Sequence, residues 1–132
     1  MFTKPSFGWT NLKLSNDFSF PASYLTDIPN DFIKALTIAL KNNVSTAVYI
    51  DGESKGECLI LFDMAENCIS TISYNDNTRE VREFYNITPL LFAQEFIKSL
   101  EDNREEWENW MCEDDYSFDV TPLKKIISGD KK

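Results

Sequence analysis

The run Glu57–Asp63 (ECLILFD) constrains the fold of this chain more than any other stretch. It is the most apolar short segment in the sequence, and turn-forming residues bound it on both sides: Asp51-Gly52-Glu53-Ser54-Lys55-Gly56 before and Met64-Ala65-Glu66-Asn67 after. Val44–Asp51 (VSTAVYID) precedes the first turn and Asn67–Tyr74 (NCISTISY) follows the second. Short runs rich in β-branched and aromatic residues, punctuated by Gly and Asn, read as strands rather than helices. The spacing predicts a three-stranded antiparallel meander over Val44–Tyr74. Because Cys58–Phe62 is apolar at successive positions, cover is expected on both faces of the central strand, from the helices before and after the meander.

Those helices are legible from their starts. Asp27 is placed to cap Ile28–Lys41, with Pro29 in the first turn, where a missing N–H is harmless. Ile28, Phe32, Leu36 and Leu40, joined by Ile33, Ala35 and Ala39, form one apolar stripe, and Asn42-Asn43 ends it. After a turn at Asn75-Asp76-Asn77, Glu80–Tyr85 alternates as a fourth strand. Thr88-Pro89 then opens a second helix with Phe92, Ala93, Phe96, Ile97 and Leu100 on one side. Nothing between Leu100 and about Met111 forbids its continuation. Thr121-Pro122 starts a short last helix burying Leu123, Ile126 and Ile127. At the other end, Phe7–Leu14 and Asp17–Phe20 are two extended pieces, either a hairpin or an edge of the sheet, and Pro21 breaks the chain. Residues 1–5 and 128–132 are expected to fray. Strands and helices in this order predict an α+β fold, a single compact domain over residues 1–132 with an antiparallel meander and helices packed on it.

A chain of 132 residues supports one core, and 42% hydrophobic and 14% aromatic residues favour a packed globule over disorder. No run of about 18 apolar residues is present, so no membrane-spanning helix is expected. Met1–Trp9 lacks the basic start and apolar core of a signal peptide, and the cysteine number, three, is odd. Both point to the cytoplasm. Cys58 and Cys68 either face each other across neighbouring strands or act as small buried hydrophobes. With three cysteines and no histidine, the chain is poorly supplied for a zinc site, and neither metal nor cofactor is expected.

Charge is unevenly placed. Of the formal net charge of -9, most lies between Glu101 and Asp119, which holds nine acids and a single base, Arg104. Such a field repels nucleic-acid phosphates and attracts basic surfaces. Within it, Glu105, Glu106, Trp107, Glu108, Trp110, Asp114, Asp115 and Tyr116 interleave carboxylates with large aromatics. Aromatic anchors ringed by acids suit a basic protein partner. The competing reading is that Trp107 and Trp110, three residues apart on one helix side, close the core while the acids form a solvated face.

Catalytic chemistry finds little support. No histidine is available as general base, Cys112 sits among acids rather than beside the cations that activate a thiol, and neither Gly52 nor Gly56 leads into a phosphate-binding Lys-Ser/Thr pair. Paired carboxylates such as Glu105/Glu108 or Asp114/Asp115 lack the alternating acids and central glycine of a calcium loop.

Ser23-Tyr24-Leu25-Thr26-Asp27-Ile28-Pro29, ahead of an apolar helix, resembles the opening of a bacterial family of small immunity-type proteins. The likeness extends to the strand ending at Asp51-Gly52-Glu53, the meander, the long helix, and a C-terminal segment with Trp110, Phe118 and Leu123. It runs from about Trp9 to Ile127. Two departures are the Ile28 between Asp27 and Pro29 and the lack of a proline after Phe118. The resemblance implies a cytoplasmic, non-enzymatic immunity protein of a polymorphic toxin or contact-dependent inhibition system, whose partner is a cognate toxin domain, often a nuclease. It transfers no catalytic residues. The alternative expectation is an adaptor or regulatory module with a host protein partner.

Overall fold

Strand register organises the molecule, a computed structural model of which describes residues 1–129. β3 (Thr46–Asp51), β4 (Glu57–Asp63), β5 (Cys68–Asn75) and β6 (Thr78–Phe84) pair antiparallel in sequence order. The expected meander and fourth strand are therefore present, and the architecture is α+β. β1 (Trp9–Ser15) and β2 (Phe18–Ser23) form a separate two-stranded hairpin. Pro21 does not break the chain as expected. It sits within β2 opposite Asn11, where a two-stranded ribbon tolerates a missing N–H.

Alternation along the meander sorts its side chains cleanly. Val48, Ile50, Cys58, Ile60, Phe62, Ile69 and Phe84 are buried on one face. The helix α1 (Ile28–Asn42) packs against β3, and the ring of Phe92 from α2 (Pro89–Asp102) meets Phe62 at 5.0 Å. The hairpin covers the β6 end, where Phe18 packs edge-on against Phe84 at 5.2 Å. Arg82 lies over both rings and pairs with Asp17 at 3.0 Å.

The opposite face is open, which corrects the expectation of cover on both sides. Leu59 is 40% exposed and Leu61 is half-buried, although both belong to the apolar central strand. An antiparallel sheet needs only one covered face, and all the packing elements lie on the other. Cys58 and Cys68 fall on opposite faces and are free thiols, so the disulfide alternative is excluded. Burial pushes the Cys58 thiol up to about 12.

Both long helices start as their sequences dictate. The Asp27 carboxylate accepts from the Asn30 N–H at 3.3 Å, and the Thr88 hydroxyl accepts from the Leu91 N–H at 3.1 Å. Phe32 of α1 stacks on Phe92 of α2 with centroids 5.9 Å apart. α2 does not continue to Met111. It ends at Asp102, Asn103 leaves helical geometry (φ -121°, ψ 40°), and a short α3 (Arg104–Glu108) follows. Acids at Glu101 and Asp102 sit at the negative C-terminal end of the helix dipole, where they weaken the last turn, so charge is not what ends α2 there. α4 (Thr121–Ile127) is held by Asp119, whose carboxylate accepts from the Thr121 N–H at 2.9 Å.

The termini are more ordered than expected. Phe2 bridges to Leu12, and the Thr3 N–H donates to the Asn11 carbonyl at 2.9 Å. The Phe2 ring lies within 6 Å of the rings of Phe32, Phe96 and Trp107, so burial of this one side chain ties residues 1–5 to the core. Ser128 and Gly129 hydrogen-bond back to Lys124 and Ile126, and the fraying expected for 130–132 lies outside the described residues.

Candidate protein-binding surface

The interleaved segment divides into a buried half and an exposed half. Trp107 is 0% exposed and Trp110 is 1% exposed, their rings 5.3 Å apart. The Trp110 indole N–H donates to the Thr26 carbonyl at 2.9 Å. Neither residue anchors a partner at this surface, a correction to the aromatic part of the expected site. After the break at Asn103, the Trp107 indole meets Phe2 and the Trp110 indole packs on Trp107, and removing two such side chains from water outweighs any surface role.

Tyr116 is half-buried, with its hydroxyl donating to Asp27 at 2.5 Å. Partial burial first, then the hydrogen bond to Asp27, raises the Tyr116 pKa. Asn30 reinforces the contact: its amide donates to Asp27 at 2.9 Å and to the Ser117 carbonyl at 3.1 Å. The helix cap of α1 thereby doubles as the dock for the C-terminal segment.

The acids stay outside. Glu105, Glu108, Asp114 and Asp115 are exposed, and Glu106 is half-buried. Glu106 pairs with Lys4 at 3.2 Å; its own backbone N–H, then Lys4, lowers its pKa. Glu101 pairs with Lys124 at 2.9 Å, and Glu108 lies 3.7 Å from Arg104. Among the described residues, Asp102, Glu105, Glu113, Asp114 and Asp115 have no cation within 4.0 Å. The acids of the expected site are thus exposed or half-buried, while its two tryptophans are buried.

A second surface was legible in the sequence only at the Gly52–Gly56 loop, expected from the sequence to aid Glu101–Tyr116 in binding. On the open sheet face, the register aligns Tyr49, Leu59, Ile72 and Val81 in one row across all four strands. Tyr49 is 41% and Val81 55% exposed. The neighbouring row is Asp51, Glu57, Tyr74 and Arg79. The Tyr49 hydroxyl lies within hydrogen-bond reach of both Asp51 (3.0 Å) and Glu57 (2.8 Å). Partial burial and these two acceptors raise its pKa. Asp51, Glu53, Glu57 and Asp76 line an open groove of about 450 Å³ beside Tyr74 and Leu25. Alternation in the meander pointed to this row, but only if one face is left uncovered.

Together the fold and these surfaces define a single α+β domain whose exposed features include the C-terminal carboxylates and an apolar row on the open sheet face. Among the described residues, no helix is long and apolar enough to cross a membrane. Compared with known proteins, the chain matches no family model, no curated protein and no solved structure.

Proposed function

We propose that this chain is a non-enzymatic, cytoplasmic immunity-type protein that binds a basic toxin domain and holds it inactive. The observation that carries the reading is the concentration of carboxylates at Asp102, Glu105, Glu113, Asp114 and Asp115 with no cation partner among the described residues, on a chain of net charge -9. Proteins that handle phosphates are basic at their working surface, and an acidic inhibitor competes through the same field. The resemblance around Ser23–Pro29 supports the same reading. Those residues form the connection from β2 to α1 and include Thr26 and Asp27, which receive Trp110 and Tyr116.

The test uses the C-terminal domain of the protein encoded directly upstream of this chain, inactivated by substitution. Glu105→Lys, Asp114→Lys and Asp115→Lys, combined, leave the Lys4–Glu106 pair intact. Association is expected to slow by about ten-fold or more and to lose most of its salt dependence. An unchanged on-rate and salt slope removes these acids from the interface, and no binding by the native chain removes the immunity reading.

A further inference from the structure

The open sheet face has a chemistry that selects its occupant. Tyr49, Leu59, Ile72 and Val81 cross four strands, about 14 Å at about 4.8 Å per strand gap. Outward positions around them carry Asp51, Glu57, Asp63 and Glu83 against one base, Arg79. Asp51 and Glu57 lie directly across from each other, an arrangement that like charges disfavour. Tyr49 has one hydroxyl proton to share between them, and among the described residues no cation lies within 4.0 Å of either. The pair retains acceptor capacity, with Glu53 and Asp76 beside it in the same groove.

These features adjoin the C-terminal acids through one loop. Leu25, 56% exposed, lines the acidic groove. Thr26 borders the neighbouring cleft that reaches Ala47 and Tyr49, and it accepts the Trp110 indole N–H. Asp27 receives Tyr116.

We infer that the outer face of the four-stranded sheet is the contact platform for a basic protein partner, with an apolar side chain seated on Leu59, Ile72 and Val81 and a lysine or arginine received by Tyr49, Asp51 and Glu57. The inference rests on the function proposed above and assigns its contact surface: the C-terminal acids steer the partner and the sheet face holds it. Charge complementarity decides the occupant. A second copy would oppose acids with acids, and phosphate-bearing surfaces meet the same repulsion, whereas a cationic protein gains from every one of these groups. The apolar row is narrower than the roughly 800 Å² per partner of an ordinary interface, so the footprint extends over the acidic groove.

The experiment titrates methyl-labelled protein with the inactivated C-terminal domain of the upstream-encoded protein. It compares the native chain with Leu59→Arg and with Asp51→Asn/Glu57→Gln, each checked for an unchanged melting profile. Expected are shifts of the Leu59, Ile72 and Val81 methyls, affinity weakened about thirty-fold or more by Leu59→Arg, and a smaller loss with a flatter salt slope for the carboxylate pair. If the native chain binds, the methyls stay put and both variants bind equally well, the sheet-face assignment is overturned while the immunity reading stands. No binding by the native chain overturns both. A concentration-dependent dimer, seen by sedimentation and abolished by Leu59→Arg, would make a second copy the occupant and overturn the assignment.

Discussion

The indole N–H of Trp110 reaches back 84 residues to the carbonyl of Thr26, 2.9 Å away. This bond, with the full burial of the ring, assigns Trp110 to the core, and its neighbour Trp107 provides an internal control. Trp107 is equally buried, yet its N–H meets no acceptor among the described residues. Trp110→Phe and Trp107→Phe both leave a void, but only the first removes a hydrogen bond, leaving the Thr26 carbonyl with the Ile28 N–H at 3.1 Å alone. Urea unfolding is expected to show both variants destabilised, with Trp110→Phe worse by about 1 kcal/mol. Equal losses would remove the hydrogen bond from the account.

Asp27 caps α1 and accepts the Tyr116 hydroxyl, so the two roles are separable by mutation. Tyr116→Phe is expected to cost about 1 kcal/mol, since the site is only half-buried. Asp27→Ala should cost about 1 kcal/mol for the cap and roughly as much again for the lost tyrosine contact. A double-mutant cycle should return a coupling near 1 kcal/mol. Strict additivity would mean that the C-terminal segment docks without this bond.

Asp17 links the hairpin to the sheet. Its hydrogen bond from Ser15, and then its pairing with Arg82, lowers its pKa. A carboxylate depressed on folding contributes stability above its unfolded value, about 3.9, and loses it as pH falls through the folded value. Native protein should therefore melt higher than Asp17→Asn near neutral pH, with the difference closing below about pH 4. Melting curves from pH 2 to 7 check this, and a gap that does not shrink in acid contradicts it.

Gly56 ends the β3–β4 turn at φ 111°, and a Cβ there would sit 2.1 Å from the Tyr74 carbonyl oxygen. Backbone, rather than a movable side chain, blocks the space. Gly56→Ala is expected to lower stability by about 2 kcal/mol or more, measurable by thermal denaturation. Gly129→Ala meets nothing within 4 Å among the described residues and tests backbone conformation, at φ 84°.

Local chemistry made much of this fold readable. Asp27 and Thr88 announce their helices because a cap depends on neighbours three residues away. Glu57–Asp63 announces a strand because alternation and turn residues are equally local, and the α+β class follows from element order. Only the tertiary structure decided which apolar faces are covered. Leu59 and Ile60 are adjacent and comparably apolar, yet Ile60 is fully buried and Leu59 is not, because α1, α2 and the hairpin all pack on one side of the sheet. Trp107 and Trp110 were equally ambiguous: an indole suits an interface or a core, and the Phe2 ring against Trp107 and the Thr26 carbonyl against Trp110, both distant in sequence, settle it. Phe2 could not be placed from its neighbours, since what orders it is contact with Phe32, Phe96 and Trp107. Periodicity and capping are encoded within a few residues, whereas burial of a given face depends on segments distant in sequence, and that is where sequence and structure part.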